Sequence, residues 1–297
     1  MSGTPPVGVE PHPARAILPS RDTAVITGAS SGIGAAFAVA LARRGTGLLL
    51  TGRRSEPLEA VAEQCRALGV PVQTMLVELS DPIARRRFLE TVRRIDSVSL
   101  VVANAGFGYP KPFVNGPIEP VVRMIEVHVT AVVELFHVVL PAMVERGSGG
   151  LIAVSSLASR LPVPGAESYV ASKSYLNSFC ESLSVAVRDS GVTVQTLLPG
   201  FTRTDFHRYD AQFVDTQPRF LRWMSPGAVV DASLRCLDRR RPVCIPGWSN
   251  RLMATCLGAL PRGVLRSLMR SLARSKEAPR PDGADRPKRQ SGTGETR

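Results

Sequence analysis

Ala24-Val25-Ile26-Thr27-Gly28-Ala29-Ser30-Ser31-Gly32-Ile33-Gly34 is the stretch that decides the fold. Its first three residues are apolar on both faces of an extended chain, so they read as a strand covered on both sides. The strand runs directly into Gly28, and an amphipathic helix is expected over residues 35–44. Each glycine has a task in such a turn. One turns the chain tightly, one lets backbone approach a pyrophosphate, and one lets the helix pack close to the strand. Ser30, Ser31 and Ile33 fill the turn, and the helix N-terminus adds unpaired N–H groups and a positive dipole end. Strand, glycine turn and helix in this order predict a phosphate cradle.

The pattern repeats outward from that unit. Short apolar runs at residues 47–51, 72–77, 98–103, 151–155 and 192–198 alternate with amphipathic segments at 58–68, 83–94, 120–144 and 169–188. A further helix over 226–237 and a strand over 243–245 follow. Doubly apolar strands, each followed by a helix, predict an α/β fold: a Rossmann-like, doubly wound parallel sheet with helices on both faces, in a single domain. That domain is expected over residues 21–247. A flexible leader rich in Pro and Gly precedes it over 1–20. A helical extension follows over 248–274, then a disordered basic tail over 275–297.

The chain has 297 residues and a formal net charge of +12. Residues 261–297 hold ten Lys/Arg against four Asp/Glu, so about half the excess lies near the C-terminus. A basic end of this kind reads first as a solvated tail and does not by itself imply nucleic acid. Arg262, Arg266 and Arg270 are four residues apart among Leu, Met and Val, a stripe compatible with peripheral contact to an anionic membrane. The same segment suits a helix packed on the body or a subunit contact. Cys65, Cys180, Cys236, Cys244 and Cys256 have no C-x-x-C spacing, which argues against zinc and against a disulfide framework. They read as buried free thiols in a reducing, cytoplasmic setting. No signal peptide is expected. No bilayer-spanning run is expected either, because His128, Glu134 and His137 interrupt the most apolar helix.

The second strand ends in Leu50-Thr51-Gly52-Arg53-Arg54. A free ribose 2′-hydroxyl would call for an acidic residue here, whereas two arginines suit a 2′-phosphate. The expected cofactor is therefore NADP(H). Tyr169 and Lys173 are four residues apart and share a helix face. A free Tyr ionises near ~10, and a nearby ammonium stabilises its phenolate. The pair can then exchange a proton with an alcohol or carbonyl oxygen. Ser156, at a strand end thirteen residues before the Tyr, can hold that oxygen.

Thr27–Gly34, Asn104-Ala105-Gly106, Ser156, Tyr169-x-x-x-Lys173 and residues 199–204 (Pro-Gly-Phe-Thr-Arg-Thr) form an ordered set. In that set the sequence resembles the short-chain dehydrogenase/reductase family over roughly residues 22–241. The resemblance implies that Tyr169 is the catalytic acid/base, that Lys173 binds the nicotinamide ribose and tunes the Tyr, and that Ser156 orients substrate. It also implies that Asn104, Ala105 and Gly106 support the adenosine side of the cofactor. Pro199, Gly200, Thr202 and Thr204 would lie beside the nicotinamide and phosphates. A homodimer or homotetramer built on the helices after the fourth and fifth strands is the family default. Two positions depart from the family pattern. An Asn that helps hold a water leading to the catalytic Lys is replaced by His128, which either holds that water through a ring nitrogen or breaks the relay. Glu78 stands where an Asp near the adenine is usual, and it can accept the same hydrogen bond.

Other groups carry less chemistry. His12 lies in the leader, His137 reads as a core histidine, and His207 could reach the substrate mouth. No His/Asp/Glu cluster has metal-ligand spacing, and no G-x-S-x-G elbow supports a hydrolase. Phe107, Tyr109, Phe113, Leu157, Leu161, Val163, Phe201, Phe206, Phe213 and Trp223 follow strand ends. They form an apolar wall suited to a small lipophilic carbonyl or alcohol. Arg160 or Arg203 could pair with an acidic group on it. The sequence thus reads as an NADP(H)-dependent oxidoreductase. A catalytically weakened cofactor-binding scaffold or sensor is the rival, and a membrane-docked assembly factor a third reading.

Overall fold

The computed structural model describes residues 22–109, 113–204 and 223–274. The expected leader and tail, together with Phe206, His207 and Phe213, lie outside the described residues. The strands are β1 Thr23–Ile26, β2 Gly47–Gly52, β3 Val72–Leu76, β4 Val98–Ala103, β5 Gly149–Val154, β6 Val192–Leu197 and β7 Val243–Cys244. The helices are α1 Gly32–Ala42, α2 Ser55–Arg66, α3 Pro82–Arg93, α4 Glu119–Ile125, α5 Ala131–Arg146, α6 Glu167–Ala186, α7 Pro226–Asp238, α8 Trp248–Ala259 and α9 Arg262–Arg274.

All seven strands pair in parallel in the order β3-β2-β1-β4-β5-β6-β7. Successive side chains leave opposite faces of the sheet, so each strand feeds two cores. Val25 and Leu49 join Phe88 of α3, Leu135 and Phe136 of α5 and Leu176 of α6 on one face. Ala24, Ile26, Leu48 and Leu50 join Phe37 of α1, Leu58 of α2 and Val229 of α7 on the other. Each large side chain enclosed in this way contributes about 1.5–3 kcal/mol. The strand order reverses at β1, whose neighbours are β2 and β4. A crevice opens at the carboxyl ends of β1 and β4 for that reason.

Several sequence expectations are corrected or refined by the structure. The long helix expected over 120–144 is α4 and α5 joined by a π-helical turn, Glu126–Thr130, in which the Ala131 N–H donates to the Glu126 carbonyl. By length and composition Glu119–Arg146 is apolar enough to cross a membrane, contrary to the sequence reading. Val127, Ala131, Val132, Leu135 and Phe136 are nonetheless buried against the sheet. His137 is exposed, because the faces at Leu135, Phe136 and Val139 turn it away from the core. The C-terminal extension is two helices. Pro261 cannot donate a helical hydrogen bond and pushes Leu260 to extended backbone (φ −77°, ψ 136°), which separates α8 from α9. Among the cysteines, Cys256 is exposed rather than buried.

Candidate active site

Thr27 starts the site. Its Oγ1 accepts from the backbone N–H groups of Asn104 and Ala105, both at 3.0 Å, tying the end of β1 to the end of β4. The Asn104 amide donates to the Thr27 and Gly28 carbonyls at 2.9 and 3.0 Å. Asn104 therefore staples the glycine turn. Gly28 has φ +65°, and a Cβ there would lie 2.8 Å from the Ala105 Cα. A Cβ on Gly34 would strike the Gly28 carbonyl oxygen and lie 2.5 Å from Asn104 Nδ2. One on Gly32 (φ +58°) would lie 2.9 Å from the Thr204 methyl. The turn is a backbone-lined cradle that side chains would fill.

The cradle belongs to a cleft of about 370 Å³. Gly28, Ser30, Ser31, Gly32 and Ile33 line its floor, and Arg53, Arg54 and Glu78 line it after β2 and β3. Asn104, Ala105 and Gly106 follow β4, Ser156 follows β5, and Tyr169 and Lys173 come from α6. Pro199, Gly200, Thr202 and Thr204 close the set after β6. Gly34 and His128 are not on the cleft lining. Gly34 packs behind the turn, and His128 lies behind Gly106.

The two arginines diverge. Arg54 donates to Ser31 Oγ at 3.1 Å and to Ser30 Oγ at 3.5 Å, over the glycine turn. Arg53 pairs with Glu78 at 3.3 Å and lies 5.8 Å above the Phe107 ring. Glu78 Oε1 also accepts from the Ser80 hydroxyl (2.8 Å) and amide (3.1 Å). Burial works to raise the Glu78 pKa, but the Ser80 hydrogen bonds and the Arg53 charge outweigh it and leave it below the ordinary value. Glu78 thus braces Arg53.

Lys173 is buried, and its Nζ donates to the Val154 carbonyl at 2.8 Å. Ser155 Oγ donates to the Lys173 carbonyl at 2.9 Å, which fixes α6 on β5. Burial lowers the Lys173 pKa to about 7. The Tyr169 ring lies one helical turn away, its centroid 6.0 Å from Nζ. Ser156 caps the short 3₁₀ turn Leu157–Arg160, its Oγ accepting from the Ala158 N–H at 3.2 Å.

His128 is fully buried in the π turn, and burial followed by the Lys173 charge holds its pKa well below the ordinary value. Nε2 lies 3.1 Å from the Phe107 N–H, and Nδ1 lies 2.9 Å from Ser172 Oγ. Both ring nitrogens are engaged by protein groups, so neither is left to hold the water that the family resemblance implied.

Of the expected apolar wall, Phe107 alone among the described residues lines the cleft. Leu157 is buried, Phe113 is 55% exposed, and Phe201 packs on Trp223 with ring centroids 5.7 Å apart. Leu161, Val163 and Tyr109 are half-buried away from the lining, and Arg160 and Arg203 are exposed outside it. Strand-end position alone did not separate cleft residues from packing residues. Sequence reasoning missed Ser172, three residues after Tyr169. It also missed Arg85, which is buried and binds Glu126 at 3.0 Å and Glu134 at 2.7 Å. Glu126 and Glu134, eight residues apart and flanked by apolar residues, were the available signal.

Over 187 residues the chain is 40% identical to an uncharacterised oxidoreductase of Myxococcus xanthus, covering 62% of this chain and 73% of that protein. It is 34% identical over 186 residues to the human inactive hydroxysteroid dehydrogenase-like protein 1, covering 61% of this chain and 56% of that protein. Its fold matches a short-chain dehydrogenase from Sphingobium yanoikuyae, solved in complex with NADPH, with a TM-score of 0.73 and 31% identity. That match covers 90% of this chain and 100% of the other. The family model for short chain dehydrogenases matches residues 22–214, more than half the sequence, and the chain belongs to that family of oxidoreductases.

Proposed function

We propose that the protein is an NADP(H)-dependent oxidoreductase that interconverts a carbonyl and a secondary alcohol on a lipophilic substrate, with Tyr169 as acid/base. The observation that carries this reading is the convergence of Ser156, Tyr169 and Lys173 with the glycine turn on one cleft. The cleft fits the cofactor. The bare backbone at Gly28 and Gly32 suits a pyrophosphate, and Arg54 over Ser30 and Ser31 suits a 2′-phosphate. Glu78 is already engaged by Ser80 and Arg53 and is poorly placed to recognise a free ribose hydroxyl. The Sphingobium neighbour's complex with NADPH supports the same choice.

When bound, the nicotinamide supplies the hydride that adds to the carbonyl carbon. Ser156 donates to the substrate oxygen and orients it. Tyr169 passes its phenolic proton to that oxygen in reduction and takes a proton from the alcohol in oxidation. Lys173 in its ammonium form steadies the phenolate. Its pKa near 7 leaves it sensitive to the negative charge of a dinucleotide, which favours the ammonium. Phe107 and the aliphatic cleft walls suit an apolar substrate.

NADPH and NADH titrations, with turnover of a panel of hydrophobic ketones, test the reading. NADPH is expected to bind more tightly, and Arg54→Ala to weaken NADPH about tenfold or more while sparing NADH. Tyr169→Phe is expected to lose about 10²–10⁴ in kcat. Full activity in the Phe variant would overturn the mechanism, and equal cofactor affinities would overturn the NADP preference. The weakened scaffold or sensor is favoured by His128 and by the human relative named inactive. NADPH binding with no turnover on the whole panel would select it.

Two surface features support assembly proposals. Ile118, Val122, Ile125 and Val144 before and along α4–α5, with Tyr175 and Val185 on α6, are exposed apolar residues suited to a homodimer or homotetramer contact. In α8 and α9, Trp248, Leu252, Val264 and Leu268 are exposed, and residues 248–274 carry five Arg and no acidic residue. That charge suits an anionic lipid surface. Co-sedimentation with phosphatidylglycerol vesicles that survives Arg262, Arg266 and Arg270→Glu would remove the lipid proposal.

A further inference from the structure

The network around His128 fixes its proton without reference to any ligand. Ser172 Oγ donates its one proton to the Tyr169 carbonyl at 2.8 Å. It can therefore only accept from His128, at 2.9 Å, which requires a proton on Nδ1. The Phe107 N–H points to Nε2 at 3.1 Å, which requires a bare lone pair there. The two constraints are independent and agree on one neutral tautomer. An imidazolium would leave the Phe107 N–H facing another donor, beside the Lys173 charge.

The surroundings are built to hold the ring there. The π turn adds a residue to the helix, and the His128 ring lies behind Gly106, off the cleft lining. Arg85, itself buried, grips Glu126 at the start of that turn and Glu134 beyond it. Gly106 makes room, since a Cβ would lie 2.7 Å from Nε2. The ring meets Tyr169 edge-on, with centroids 5.7 Å apart and planes at 75°.

We propose that His128 is a positioning residue, locked as the neutral Nδ1–H tautomer by Ser172 and the Phe107 amide. It sets the Tyr169 ring and the Gly106–Phe107 backbone. This deepens the oxidoreductase reading and rests on it for the kinetic arm only. The ring protonation can be read without turnover.

Side-chain ¹⁵N NMR of the histidines, assigned with His128→Asn, is the first arm. A protonated Nδ1, a bare Nε2 and no titration between about pH 6 and 9 are expected. The opposite tautomer, or a ring that titrates in that range, overturns the proposal. In the second arm Ser172→Ala removes the acceptor of the ring proton. Its kcat is expected to fall about tenfold to a hundredfold with KM nearly unchanged, as for a misplaced reacting group, and Ser172→Thr to recover most of it. Unchanged kcat in Ser172→Ala, or His128→Asn with wild-type kcat, overturns the proposal. If the wild type reduces no ketone, the proposed activity fails while the NMR arm still decides the tautomer.

Discussion

The turn at residues 28–34 and the turn at Glu126–Thr130 serve the same cleft by different physics. The first is shaped by bare backbone and stapled by two side chains. Its glycines lie where any Cβ would collide, and Thr27 and Asn104 tie it to β4. The second is held by side chains far apart in sequence. Arg85 comes from α3, Ser172 from α6 and the Phe107 amide from the loop after β4. Steric necessity leaves a local mark in the sequence, whereas a side-chain clamp leaves a scattered one. The first turn should therefore be brittle to a single methyl, and the second should yield in steps.

The largest expected effect comes from Gly34→Ala. The added methyl meets the Gly28 carbonyl and Asn104 Nδ2, neither of which can withdraw without breaking the staple. A loss of about 3 kcal/mol in urea unfolding is expected, together with loss of NADPH binding. A variant of normal stability that binds NADPH would show the cradle to be far softer than its contacts imply.

Arg85→Met should be milder. Removing one member of a buried ion pair costs about 3–5 kcal/mol when the other charge stays buried. Here Glu126 and Glu134 are 34% and 42% exposed and can turn to water. A loss of about 2 kcal/mol is therefore expected, with NADPH affinity kept. Collapse of folding equal to that of Gly34→Ala would erase the contrast between the two turns.

A third effect, a change with pH rather than a fixed loss, concerns Lys173. Burial lowers its folded pKa from 10.5 to about 7, so between those values the unfolded chain holds more protons than the folded one. The ligand-free protein should gain stability, relative to Lys173→Met, as pH rises from about 7 towards 9. That gain is lost as pH falls back towards about 7, and the two proteins respond alike below it. Parallel Tm–pH curves for the two proteins would mean that the ammonium is solvated in the cleft.

Much of the fold and the cofactor half of the site was legible in the sequence. Doubly apolar runs at 24–26, 47–51 and 98–103 dictate covered parallel strands, because exposing either face would leave apolar surface in water. Glycines at 28, 32 and 34 can only mean close backbone approach, and the spacing of Tyr169 and Lys173 places them on one helix face. Local chemistry suffices for each of these. The tertiary structure decided what each polar side chain faces. It separated Arg54, over the serines, from Arg53, held by Glu78, although the two are adjacent in the chain. It turned His137 to solvent and His128 into the interior, nine residues apart on one apolar helix. It also gave His128 two partners that exhaust its nitrogens. Hydrogen-bond direction depends on atoms brought together from α6 and the loop after β4. Proximity of that kind is a property of packing, on which sequence spacing is silent.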